Sequence, residues 1–188
     1  FVTGTDFGDA PSPYPNLMAT NGAHHDIGTI QMSPNPLVWP DHEADGQPDS
    51  NAQGDDLNGI DDEDGVLLPS TFVPGETTQI TVLVNGEFTG YPVSGKLSAW
   101  IDWNQNGIWE NNLTINIPGG PTGYTYARFR ISSQGVTTPN GPAPDGEVED
   151  YRILVEIPEV YDFGDAPEGA PAYPDLGVTG QFPTCLTA

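Results

Sequence analysis

The stretch "TTQITVLVN" (Thr77 to Asn85) alternates from Gln79 onward, so that Ile80, Val82 and Val84 share one face. A period of two is the signature of a strand with one buried side. Neighbouring segments have the same texture: "VLLPSTF" (66–72), "KLSAWIDW" (96–103), "LTINI" (113–117), "YTYARFRI" (124–131) and "YRILVEI" (151–157). β-Branched and aromatic residues fill these runs, and Gly, Pro and Asn punctuate them. No segment has the apolar spacing of an amphipathic helix. The pattern predicts an all-β chain with an antiparallel sandwich over residues 66–157. The 23 glycines and 20 prolines suit such a turn-rich architecture.

Neither end continues the pattern. Residues 1–65 have almost no apolar periodicity, and ten of the 27 acidic residues fall between Asp41 and Asp64. This predicts a long, irregular acidic segment packed on the sandwich. After Ile157 comes a short proline-containing join and then "YDFGDAPEGAPAYPDLG" (161–177), which restarts "TDFGDAPSPYPNLM" (5–18). DFGDAP recurs 156 positions on, and Tyr-Pro and a leucine follow in both copies. Residues 158–188 lack the bulk to fold alone and are expected as an extended tail that belongs with a neighbour. Either they begin the next module of one long chain, or they dock on an exposed strand edge of the next subunit, head to tail. Asp162, with Phe163 and Tyr173 as pocket-filling anchors, would make that contact. Cys185 would lie near the neighbour; as the only cysteine it closes no internal bridge.

Charge narrows the partners. Four basic residues against 27 acidic ones give a net charge of −23, which opposes binding to nucleic acid and to anionic membranes. No apolar run reaches transmembrane length. The chain begins with Phe, as a processed secreted chain or a fragment would. So much negative charge also calls for cations within the fold.

Two loops fit that need. "DDLNGIDDEDGV" (55–66) places six carboxylates, among them Asp55, Asp61, Asp62 and Asp64, in ten residues with Asn and Gly interleaved. Ca²⁺ takes six to eight oxygens of this kind, whereas a solvated acidic loop is the plainer alternative. "DWNQNGIWE" (102–110) has the D-x-N-x-N-G spacing of half an EF-hand loop, offering Asp102, Asn104, Asn106 and the Ile108 carbonyl. Leu113 stands where the bidentate Glu belongs, so the loop needs help from outside, or is simply an Asn-Gly hairpin turn. "DGEVEDY" (145–151) leads into the last strand with Glu147, Glu149 and Asp150. If six strands alternate in direction, Glu147 or Asp150 reaches the Asp102 loop. Asp6 and Asp9 of the first DFGDAP are further ligands or turn caps.

Together, "DFGDAP" (6–11), "YPNLMATNGAHH" (14–25), "EADGQPDSNAQGDDLNGIDDEDGV" (43–66), "WIDWNQNG" (100–107), "ARFRISS" (127–133) and "GEVEDY" (146–151) resemble the GEVED-type β-sandwich repeats of large secreted bacterial and archaeal surface proteins. The resemblance implies an immunoglobulin-like sandwich, an extracellular or cell-surface location, tandem modules and no enzymatic activity. It also implies calcium at Asp61, Asp62, Asp64, Asp102, Asn104, Asn106, Glu147, Glu149 and Asp150. The chain departs from the family pattern at Asn106, where an Asp is common, and at His25, where an Arg is expected.

The residues themselves argue against catalysis. The one Cys lies in the tail, His24 and His25 adjoin, and nothing supplies a nucleophile–base pair. A zinc site at His42 with Asp41 or Glu43 is a minor alternative. The expected function is a calcium-stabilised structural module of a cell-surface or matrix fibre, joined to copies of itself or to adjacent modules. The rival is a calcium-dependent carbohydrate-binding or adhesion module that stacks surface glycans on Trp39, Trp100, Trp103 or Trp109. Asn112-Leu-Thr is a glycosylation sequon, compatible with an extracellular location.

Overall fold

The computed structural model describes residues 4–28, 30–37, 39–54, 56, 62–86, 94–110, 121–157 and 168–181. The chain divides into two compact units, Phe1–Ile157 and Pro158–Ala188. In the first, short strands β1 (Thr5–Phe7), β2 (His24–Asp26), β3 (Ile30–Met32), β4 (Val66–Leu67), β5 (Thr81–Val82) and β6 (Val84–Gly86) precede the longer β7 (Lys96–Ile101) and β8 (Gly123–Ser132). β9 (Pro142–Ala143) and β10 (Glu147–Val155) follow. The second unit holds β11 (Glu168–Tyr173) and β12 (Val178–Gln181), an antiparallel hairpin around a 3-10 turn at Pro174–Leu176. The described residues are thus nearly all β. Among them no helix is long and apolar enough to cross a membrane.

β8 is the centre of the main sheet, with β7 and β10 paired antiparallel on either side. The strand period then sorts its side chains. Ile101, Ala127, Phe129, Ile131, Ile153 and Val155 face one core, where Ile30, Met32, Val66 and Phe72 meet them. Burial of these residues is the main source of stability, at about 25 cal/mol per Å² of apolar surface. On the other face, Trp100 joins Ala10, Tyr14 and Trp109 in a second cluster, beside the buried Arg128, Arg130 and Asp150. Two short sheets, β3–β6 and β4–β5, accompany the main one, and β1–β2–β9 forms another with one parallel pairing, β2 to β9.

Several expectations change. Residues 77–85 are not one strand. Leu83 donates its N–H to the Gly65 carbonyl and accepts from Ser33, so β5 pairs with β4 while β6 pairs with β3. The acidic first 65 residues contain β1, β2 and β3 rather than irregular chain alone. The GEVED motif lies within β10, not before it. The described part of the tail is a hairpin, not an extended segment. The proposed strand 113–117 and the sequon at Asn112 lie outside the described residues.

The direction argument for the Asp102 loop also fails. β7 and β10 both run antiparallel to β8, so they run the same way. Glu147 pairs with Ile131, which pairs with Leu97 near the start of β7, and Asp150 shares a row with Arg128 and Trp100. Asp102 lies past the far end of β7, its N–H on the Tyr126 carbonyl. Neither Glu147 nor Asp150 reaches it.

Candidate metal centre

Alternation along β10 puts Glu147 and Glu149 on the apolar face and Asp150 on the opposite one. Two carboxylates therefore enter the molecule at the end of a strand whose other half, Ile153 and Val155, is core. Each is held by a backbone donor: Met32 N–H to Glu147 Oε2, and Gly65 N–H to Glu149 Oε1 at 3.0 Å. The Tyr151 hydroxyl also donates to Glu149 Oε2, at 3.0 Å. β1 brings Asp6, whose Oδ2 accepts from Val148 N–H at 2.7 Å. The segment between β3 and β4 brings Glu43, which accepts from Phe7 N–H at 2.8 Å, and Asp62, which accepts from Asp41 N–H at 2.8 Å.

Asp6, Glu43, Asp62, Glu147 and Glu149 are each 5% exposed or less. Burial raises Asp6 well above the usual carboxylate range, and the nearby charges of Glu147, Glu43 and Asp62 raise it further. Glu147 is raised by burial and then by Glu149; Glu149 by burial and then by Asp64 and Asp62, against two hydrogen bonds that favour its charge. Like charges gathered out of water resist ionising together. Beside this group, ligand oxygens of Asp56, Asp62 and Glu63 lie within 4.8 Å of one another. These groups are carboxylates, the hard oxygen donors that a hard cation takes, with no thiol or imidazole among them.

The opposite face of β10 does different work. Arg128 and Asp150, both fully buried, form a two-pronged ion pair: Nε to Oδ1 at 2.7 Å and Nη2 to Oδ2 at 2.6 Å. Asp150 Oδ2 also accepts Ala10 N–H at 2.8 Å. Arg128 reaches the carbonyls of Pro15 and Pro139 and the side chain of Asn16. The pair is thus a cradle for the first DFGDAP. Gly8 sits where an added Cβ would lie 2.7 Å from both Arg128 Nη2 and Asp150 Oδ2, so only glycine fits. Arg130 secures the next segment, donating through Nε to His25 Nε2 at 2.9 Å, while His25 Nδ1 donates to the Asp145 carbonyl at 2.8 Å. Burial, then the Arg130 charge, lowers His25 to about 3. A neutral imidazole accepts from an arginine where a second guanidinium would be repelled.

Of the sequence candidates, Asp6, Asp62, Asp64, Glu147 and Glu149 gather here; Asp55 and Asp61 lie outside the described residues. Asp9 turns away to accept Gly54 N–H. Asp150 belongs to Arg128. Asp102, Asn104 and Asn106 stand apart in a turn that closes on itself. Asp102 accepts from Asn106 N–H at 3.1 Å, Gly107 N–H at 2.7 Å and the Tyr14 hydroxyl at 2.6 Å, and Asn106 Oδ1 accepts from Ile108 N–H at 2.8 Å. Glu43, Asp56 and Glu63 are the group members that spacing did not single out. His42 accepts Thr5 N–H at 3.0 Å. Trp100, Trp103 and Trp109 are buried and Trp39 half-buried, so the first three present no open stacking face. Asp162, Phe163 and Cys185 lie outside the described residues, and Tyr173 ends β11.

Comparison with known proteins assigns the middle of the chain. The family model of the GEVED domain matches residues 96–154, the span from the start of β7 to the penultimate residue of β10. No curated protein and no solved structure matches the chain.

Proposed function

We infer that this chain, with a GEVED domain over residues 96–154, is a non-enzymatic extracellular structural module that calcium holds together. The observation carrying this reading is the burial of Asp6, Glu43, Asp62, Glu147 and Glu149 near enough for Glu147, Glu43 and Asp62 to raise Asp6, and for Glu149 and Asp62 to raise Glu147. Buried like charges are tolerated when they are paired or coordinate a metal. Asp56, Asp62 and Glu63, whose ligand oxygens lie within 4.8 Å of one another, would hold the ion, with Asp64 and the buried Asp6, Glu43, Glu147 and Glu149 around them. The ion would join the first segment, the acidic loop and β10 into one body, as the two layers of an immunoglobulin-like sandwich require. Carboxylates with raised pKa also occur in active sites, but groups this deeply buried leave a substrate no approach.

The tail gives the module a neighbour. In the first copy of the motif, Phe7 and Ala10 are buried and Asn16 is 1% exposed. That cradle is filled once, by residues 6–10. In the second copy, the counterpart of Asn16 is the exposed Asp175, followed by Leu176 at 76% exposure. A segment with the same six residues needs a cradle of the same build, which its own module no longer offers. Residues 158–188 therefore serve an adjacent module or subunit, head to tail, in a surface or matrix fibre. Calorimetric titration of the chelated chain with CaCl2 tests the metal: tight binding with a raised melting temperature supports it, and no heat with no shift ends it.

A further inference from the structure

On the side of the molecule served by the first DFGDAP, Pro11–Tyr14, the Asp102 turn and the start of β8 enclose an open cleft of about 440 Å³. This is within the range of small-molecule sites, about 300–1,000 Å³. Tyr14, Tyr124 and Tyr126 give it aromatic walls, and Ser12, Ser50 and Gln105 give it hydroxyl and amide groups. Among the described residues no Asp, Glu, Lys or Arg lines it, in a chain that carries 27 acidic residues.

The walls are held before any ligand arrives. The Tyr14 hydroxyl donates to Asp102 at 2.6 Å, and the Tyr126 hydroxyl to the Ser50 carbonyl at 2.9 Å. The Arg152 guanidinium lies 4.4 Å from the centroid of the Tyr124 ring and fixes its plane, at about 0.5–1 kcal/mol for an exposed cation–π contact. Gly107, at φ +79°, packs so closely on Pro13 that a side chain there would strike the proline ring. Yet Tyr124 remains 59% exposed. An aromatic ring fixed in place and left open to solvent is a stacking surface.

We propose that this cleft binds an uncharged saccharide. The apolar face of a sugar ring stacks on tyrosine, and its hydroxyls match Ser12, Ser50 and Gln105. The lining residues carry no charge of their own, the guanidinium beside them is stacked on Tyr124, and the acidic chain around the cleft repels anionic sugars. The open shape suits a polar oligosaccharide better than an apolar molecule, which needs enclosure.

The test is titration of the full chain in CaCl2 with neutral gluco-, manno-, xylo- and N-acetylglucosamine oligosaccharides and one uronic-acid oligosaccharide. At least one neutral sugar binds, Tyr124→Phe retains binding, and Tyr124→Ala loses about tenfold in affinity. Gln105→Ala, on an exposed turn, weakens binding without moving the melting temperature. Three outcomes overturn the proposal: no neutral sugar binds, the uronic-acid sugar binds best, or Tyr124→Ala binds undiminished. Each can be read in a chain whose calcium-dependent melting is intact, so this failure is distinct from failure of the metal reading.

Discussion

Glu147 and Asp150 are three residues apart on one strand and experience opposite environments. Asp150 has the guanidinium of Arg128 beside it on β8, whereas Glu147 has other carboxylates. Neutralising each should therefore act in opposite directions. Asp150→Ala strands the buried Arg128 and frees Ala10 N–H, and a broken buried pair of this kind costs about 3–5 kcal/mol. Its melting temperature should fall in EDTA and in calcium alike. Glu147→Gln keeps an oxygen for Met32 N–H and removes one of the crowded charges. Its chelated form should melt higher than the wild-type chelated form, while its calcium-induced shift shrinks. A fall in both conditions would mean that Glu147 is a structural acceptor only. Lysine in place of Arg128 should not rescue, since it lacks the fork that spans both Asp150 oxygens.

At the scale of strands and turns, the sequence was legible where one period ran undisturbed. β7, β8 and the apolar half of β10 follow their alternation closely, from Lys96, Gly123 and Tyr151 onward. The reading failed where backbone partners change within a run, as at Leu83, because alternation reports which side is buried and not who is paired. It also placed the GEVED carboxylates in a loop, since a buried strand face is not expected to carry Glu147 and Glu149. Spacing drew attention to Asp102, Asn104 and Asn106, but a D-x-N-x-N-G turn satisfies its own oxygens as readily as it binds an ion. Glu43 was missed as a calcium candidate because its partners arrive from positions 6 and 7. The turn yields its own prediction. Asn104→Ala and Asn106→Ala should leave calcium stoichiometry unchanged, whereas Asp102→Ala should cost about 1–3 kcal/mol by stranding buried donors. Loss of one bound calcium in either asparagine variant would restore the loop as a metal site.

For the whole molecule, the buried acids link calcium, pH and stability. A carboxyl whose folded pKa is raised stabilises the fold fully below its unfolded pKa, and that contribution is lost as pH rises through the folded value. Asp6, Glu147 and Glu149 all shift this way. His25 is lowered to about 3 and works in the other direction, losing stability as pH falls below about 6.5. Above about pH 6.5 His25 no longer contributes, so a slope there comes from the raised carboxyls. The chelated chain should therefore melt higher at the lower of two pH values in this range. Calcium at about a hundred times its Kd should add about 2.7 kcal/mol, or roughly 5–10 °C, and flatten the slope. A chelated chain that gains stability toward alkaline pH would contradict the cluster. The tail poses a question of competition. If its DFGDAP takes the cradle of the first copy, exchange between identical subunits would conserve contacts, and the outcome would depend on concentration. The tethered copy has an effective concentration of about millimolar, so chains should assemble near that concentration, or when crowded on a surface, and separate on dilution. Gly8 shows how to block the exchange without harming the fold, because a Cβ there meets Arg128 and Asp150. Gly164→Ala carries the same obstacle into the second copy alone. Light scattering of concentrated Gly164→Ala should show monomers with wild-type calcium-dependent melting, while Gly8→Ala destabilises the module itself. Gly164→Ala chains that assemble like wild type would mean that the second motif does not use a cradle of this kind.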